Sequence, residues 1–208
     1  MIKQSSIEVF LDELASQKST PGGGSAAAVI GAMSAALLSM VCNLTIGKTK
    51  YRDVEPELQS VLTRAEDLRR ELTDMIEDDV RAFNPVMEAY GMPRRTEDEA
   101  ASRTKTIQQA LRAATAVPLR CGRACHELID LSVVVAKKGN RNVVSDAGAA
   151  VLAANAALRC AALNVLINVK ALSERDFVDE LAEFDQKLSH AAGVTETTYE
   201  AVENELGK

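Results

Sequence analysis

Apolar positions recur with helical spacing almost from the start of the chain. Ile7, Phe10, Leu11 and Leu14 repeat at three- and four-residue steps behind Ser5 and Glu8, a capping-box pair, and predict a first helix ending near Gln17. A small-residue run without a charged side chain then extends from Ser25 to Ile46 and predicts a second helix. Leu58, Val61, Leu62, Ala65, Leu68, Leu72, Met75, Ile76 and Phe83 mark one broad face of a charged helix over 54–90, bent at Pro85. Gly91-Met92-Pro93 stops it. Thr96 with Glu99 makes another capping box, opening a periodic stretch that reaches Lys138, with a kink or break near Pro118 and a stop at Gly139. Ser145 and Asp146 open a second alanine-rich helix, 147–171. Ser173 is expected to cap a final amphipathic helix, and a further helical segment, 195–206, follows it.

No run alternates with period two for long enough to demand a strand, so the expected architecture is all-α. It is an antiparallel helical bundle with the two alanine-rich helices, 25–46 and 147–171, at its centre. The 208 residues suit one domain, and four Phe, three Tyr and no Trp leave its core to Ala, Leu, Val and Met. Two long, nearly uncharged helices carry more apolar surface than one protomer hides easily, which predicts a homodimer. The first of them is long enough to cross a membrane. Its Ser25, Ser34, Ser39, Asn43 and Thr45, set among alanines, instead predict burial inside a protein bundle.

Charge and cysteine usage narrow the function. A formal charge of -6 provides no global field for nucleic acid, so none is expected as a partner. Met1-Ile2-Lys3-Gln4-Ser5-Ser6 lacks the pattern of a signal peptide, and a cytoplasmic address is expected. There Cys42, Cys121, Cys125 and Cys160 stay reduced and serve as small buried hydrophobes. Cys121, Cys125 and His126 lack a fourth ligand, and neighbouring helix positions point about 100° apart, so no metal is expected. Gly47-Lys48-Thr49 copies the end of a phosphate-binding loop, but Cys42 stands where that loop needs glycine.

Polar groups gather at the ends of helices that otherwise read as buried. Pro21, Gly22, Gly23, Gly24 and Ser25 precede the first alanine-rich segment, with several backbone N–H groups exposed. Asn43, Lys48, Lys50 and Tyr51 cluster at its far end; Asn140, Arg141, Asn142, Ser145 and Asp146 lie where the second one starts. The last two of these clusters are expected to face one pocket. Asp79 and Phe83, one turn apart, would offer a carboxylate and an aromatic face to a flat heteroaromatic ligand; the competing reading makes Asp79 a solvated carboxylate beside Glu77 and Asp78.

Thr20 to Ala28, Gly47-Lys48 with Tyr51, Asp79 with Phe83, Asn142 to Gly148, and Ala162 to Val165 with Asn168 together resemble the cyclodeaminase/cyclohydrolase family. The resemblance runs over roughly residues 5 to 200; Ala149 replaces a larger Val expected after the Ser-Asp-Ala-Gly motif. It implies an all-helical dimer binding a tetrahydrofolate near the subunit interface, with no cofactor beyond that substrate. The expected reaction opens a methenyl-bridged tetrahydrofolate to its 10-formyl form. The alternatives are ring closure of a formimino compound with loss of ammonia, and a non-catalytic helical assembly protein; the few residues before the first helix favour the first reaction.

A reduced folate needs a carboxylate for its pterin, an apolar wall and cations for its glutamate tail. Under the resemblance, Asp79 or Asp146 supplies the first, Phe83 the second, and Lys48, Lys50 or Arg141 the third. The loop from Pro21 to Ser25 lets backbone approach the ligand, and Tyr51, Asn140 and Asn142 complete the binding set. Asp146 and Lys48 are the candidate acid–base pair, and Asn43 orients the water. His126 and His190 fall outside these motifs and are expected to be packing residues.

Overall fold

A computed structural model describes residues 2–172 and 177–207, and among these it contains helices and turns but no strand. Six α-helices follow in order: α1 Ile7–Leu14, α2 Gly23–Asn43, α3 Glu55–Tyr90, α4 Glu97–Lys138, α5 Val144–Lys170 and α6 Val178–Glu205. The periodicity located them well, and the departures are local. Ser6, not Ser5, caps α1, accepting from the Val9 N–H at 3.2 Å, because the Ser5 N–H closes the preceding turn onto the Ile2 carbonyl. That helix ends at Leu14, short of Gln17, where the Ser16 hydroxyl competes for the Glu13 carbonyl. Pro85 and Pro118 lie inside α3 and α4 without breaking either. Thr96 and Glu99 form the expected capping box. The last stretch is one helix of 28 residues rather than two segments, and the expected cap Ser173 lies outside the described residues.

α2 packs against α3 on one side and α5 on the other; α4 lies along α3 and α5, and α6 along α4 and α5. Leu38, Leu58, Leu68, Leu72, Leu128, Ile129 and Leu158 are fully buried between them. Each such side chain contributes about 1.5–3 kcal/mol relative to exposure. Glycine sets two of the approaches: a Cβ on Gly122 of α4 would fall 2.0 Å from Phe184 Cζ of α6, and one on Gly148 of α5 would fall 3.1 Å from Val202 of α6. Arg64 of α3 grips Glu127 of α4 through two bonds of 2.6 and 2.7 Å.

Two features depart from a simple bundle. The alanine-rich helices α2 and α5 are joined by Ser34 Oγ donating to the Ala150 carbonyl at 2.8 Å, yet they are not enclosed. Their outer faces leave Met33 60%, Leu163 66% and Ile167 68% exposed, alongside Met40, Leu152 and Leu166. The second feature is length. At 36 and 42 residues α3 and α4 outrun α2, which has 21, and beyond it they form a two-helix arm. The arm has its own small core of Val86, Ala89, Ile107, Ala110, Leu111 and Ala114.

Candidate active site

The glycine loop builds one end of the bundle. Gly22 occupies the N-cap position of α2 without any side chain to close it, and the first turn of a helix leaves its N–H groups without partners. The cap comes from another helix. Asp79 of α3 accepts from the Ser25 hydroxyl at 2.8 Å and from the Ser25 backbone N–H, and the same hydroxyl reaches the Ile76 carbonyl at 3.1 Å. Asp79 is therefore not the solvated carboxylate of the competing reading. Burial pushes its carboxyl above the ordinary value, while the two Ser25 bonds oppose that shift.

Close approach explains the glycines. A Cβ on Gly24 would lie 2.0 Å from Asp79 Oδ1, and one on Gly23 would lie 3.3 Å from Asn164 Nδ2 on α5. Pro21 is buried beneath the loop, and Phe83, one turn beyond Asp79, is half-buried against the arm. The gap between Gly24, Asp79, Val117, Pro118 and Ala161 is too tight for a water molecule. A ligand thus meets this end from outside, over the N-terminus of α2.

The remaining candidates build the opposite end. Asn140, buried, donates from its N–H to Thr45 Oγ1 at 2.9 Å and from Nδ2 to the Leu44 carbonyl at 2.9 Å, while its Oδ1 accepts from the Asn142 N–H at 3.2 Å. Its side chain is thereby spent on fastening the loop before α5 to the end of α2. Tyr51 Oη accepts from the Arg141 N–H at 3.2 Å; that bond, with the charges of Lys50 and Lys48, draws its phenol below the ordinary value. Lys50 Nζ stands 5.4 Å from the centre of the Tyr51 ring, and the Arg141 guanidinium pairs with Glu205 of α6. Asn43 and Lys48 are exposed, and Asp146 sits half-buried in the first turn of α5.

These two groups do not share a pocket within one chain. They lie at the two ends of α2, which at 21 residues spans about 30 Å. The cluster at the end of α2 and the one before α5 do come together as expected, through Asn140, Arg141 and Tyr51, whereas the glycine loop stands at the other end. Three supporting residues also escaped the candidate set, among them Glu205, the partner of Arg141. Asn164 flanks Gly23, and Thr45 anchors Asn140 while donating to the Val41 carbonyl at 2.6 Å. Thr45 carried a signal, a lone hydroxyl amid apolar residues; Glu205 had none beyond general helix charge.

Comparison with known proteins adds an independent line. Residues 6–187 match the family described as formiminotransferase-cyclodeaminase. The methenyltetrahydrofolate cyclohydrolase of Methylorubrum extorquens is 56% identical over 207 residues, covering 99% of this chain and 100% of that protein. The formimidoyltransferase-cyclodeaminase of Rattus norvegicus is 31% identical over 84% of this chain, which spans 32% of that longer protein. Among solved structures, the formiminotetrahydrofolate cyclodeaminase of Thermotoga maritima superposes with a TM-score of 0.80 at 33% identity, covering 99% of this chain and 98% of that one.

Proposed function

Starting from the chain's membership of the formiminotransferase-cyclodeaminase family, we propose that it hydrolyses 5,10-methenyltetrahydrofolate to 10-formyltetrahydrofolate in one-carbon metabolism. The observation that carries this reading is the end-to-end 56% identity to a methenyltetrahydrofolate cyclohydrolase. The bridging carbon between N5 and N10 carries positive charge and is already electrophilic. Water adds to it and gives up one proton, leaving a neutral carbinolamine; the remaining hydroxyl proton then departs as N5 takes a proton and its bond to the carbon breaks, which leaves the formyl group on N10 and releases one proton overall. That chemistry asks the protein for a positioned water and a proton carrier, so the proposal includes no cofactor beyond the folate and no metal.

The proposed enzyme is a cytoplasmic homodimer. Pairing the exposed apolar faces of α2 and α5 across a two-fold axis perpendicular to the helices sets α2 antiparallel to its counterpart. The glycine loop, Asp79 and Phe83 of one protomer then meet Asn43, Lys48, Tyr51 and Asp146 of the other, which closes the distance that separates them in one chain. In this arrangement the first group receives the pterin on the N–H groups of α2, the Asp79 carboxylate and the Phe83 ring. The second reaches the bridge: Asp146 and Lys48 move the proton and Asn43 orients the attacking water. Because α2 and α5 face a second copy in this dimer, no membrane is needed to cover them. The net charge of -6 likewise favours no nucleic acid.

The test is loss of the methenyl chromophore with purified protein, after subtraction of the buffer-catalysed rate. Rapid loss is the expected result, and no acceleration overturns the reading. The 33% identical Thermotoga structure supports a second reading, ring closure of formiminotetrahydrofolate with release of ammonia. Ammonia release together with accumulating methenyl product would make that reaction primary.

A further inference from the structure

Within the folate reading, the arm has a use that the loop and the α2 terminus leave open. α2 begins level with Asp79, so beyond that point α3 has no α2 beside it. Asp79, Phe83, Met87 and Tyr90 nevertheless continue along one side of α3, within about 80° of one another at 100° per residue. Phe83 is half-buried on the arm's core, whereas Met87 and Tyr90 are each 45% exposed. From Asp79 to Tyr90 the helix rises about 16 Å, the reach of a pterin joined end to end with a p-aminobenzoyl group.

A cation closes this ledge. Arg103 of α4 lies 5.6 Å from the centre of the Tyr90 ring and donates from Nη2 to the Tyr90 carbonyl at 2.9 Å. Its Nε is buried with no acceptor among the described residues. The nearest carboxylate in sequence, Glu99 one turn earlier, is turned back onto the Arg95 and Thr96 N–H groups. Glu88 sits about half a turn round α3 from the ledge. A guanidinium partly withdrawn from water, with no carboxylate opposite it among the described residues, is in the condition that an acidic ligand relieves. At the other end Arg141 is engaged by Glu205 and Lys50 by the Tyr51 ring.

We propose that Met87, Tyr90 and Arg103 form the subsite for the p-aminobenzoyl-glutamate portion of the substrate, with the aromatic amide along Met87 and Tyr90 and a glutamyl carboxylate on Arg103. The assignment rests on the cyclohydrolase reading and extends it to the tail.

The test compares methenyltetrahydrofolate with methenyltetrahydropteroate, which lacks the glutamate. Arg103→Met should raise KM for the folate about tenfold at unchanged kcat, and leave KM for the pteroate as in the wild type. Met87→Glu, at an exposed position that leaves Arg103 in place, should raise KM for the folate by placing a like charge on the path of the tail. Equal changes with both substrates for Arg103→Met would mean that the arginine only steadies Tyr90, and would overturn the proposal. So would an unchanged KM for the folate in both variants. A wild type inactive on methenyltetrahydrofolate would sink the cyclohydrolase reading itself, and this subsite with it.

Discussion

Gly24 and Asp79 stand so close that a single added methyl would fall 2.0 Å from the Asp79 Oδ1 atom. Gly24→Ala should therefore destabilise the protein by about 1–3 kcal/mol, the usual cost of overpacking. Adding Asp79→Ala removes the obstacle, so the two losses should not sum; a coupling of about 1 kcal/mol in a thermal or urea denaturation cycle is the expected result. Additive losses would show that the contact does not restrict Gly24.

Asp79 should also make stability depend on pH. Its folded carboxyl lies above the ordinary value of 3.8 because burial penalises the anion. A raised carboxyl contributes stability fully below the unfolded value and loses it as pH rises through the folded one. At pH 7 Asp79→Asn should thus melt no lower than the wild type, with the advantage vanishing below pH 3.8, while turnover falls. A lower Tm at pH 7 would mean that the charge on the α2 terminus outweighs desolvation.

If each site draws on two protomers, defective chains should rescue one another. Asp79→Asn and Lys48→Met, each inactive alone, should regain about a quarter of wild-type activity after refolding as an equimolar mixture. Half the dimers are then mixed and one of their two sites is intact. A mixture as inactive as its parts would confine the site to one chain.

Gly122 is where α6 docks. Gly122→Ala should expel the Phe184 ring, whose Cζ lies 2.0 Å from the added Cβ, and destabilise by about 1–3 kcal/mol. Hydrogen exchange should rise first in α6 if that contact holds the helix down. A uniform rise across all six helices would argue against local undocking.

His126 of α4 and His190 of α6 meet at 3.2 Å between ring nitrogens, with Asp130, Glu183 and Lys187 around them. Burial draws His126 below 6.5, with Lys187 and His190 acting in the same direction and Asp130 and Glu183 against it. Its neutral form stabilises the fold above the unfolded value, and that contribution disappears as pH falls from about 6.5 through the folded value. Melting should drop between pH 7.5 and 5, and His126→Gln should flatten that part of the profile.

The helices were legible because burial imposes its period on the residues that form them, and the Thr96–Glu99 box marks the start of α4 in four letters. Failures came where a partner outside the window decided the outcome. Ser5 looked like a cap until the turn before it claimed its N–H, and the last helix continued through a stretch that read as two. The candidate residues lie at helix ends as expected. The glycine loop and the Asn43–Tyr51 cluster stand at opposite ends of α2 as their order in the chain requires; that Asn164 joins the first and Asn140 the second follows from the antiparallel packing of α2 on α5, a tertiary fact that spacing along either helix does not encode. Arg103 was unreadable for the same reason: its meaning comes from Tyr90, across the turn between α3 and α4.

Because α2 borrows its cap from α3, it contains no local instruction for where to begin. Until α3 docks, the glycines before Ser25 have every entropic reason to stay unwound. The opening turn of α2 and the rim that would receive a ligand therefore come into being in a single event. Lesions that slide α3 along its groove should show themselves as fewer competent molecules, each working at full speed, instead of a whole population working slowly. Counting occupied sites, beside measuring rate, separates the two.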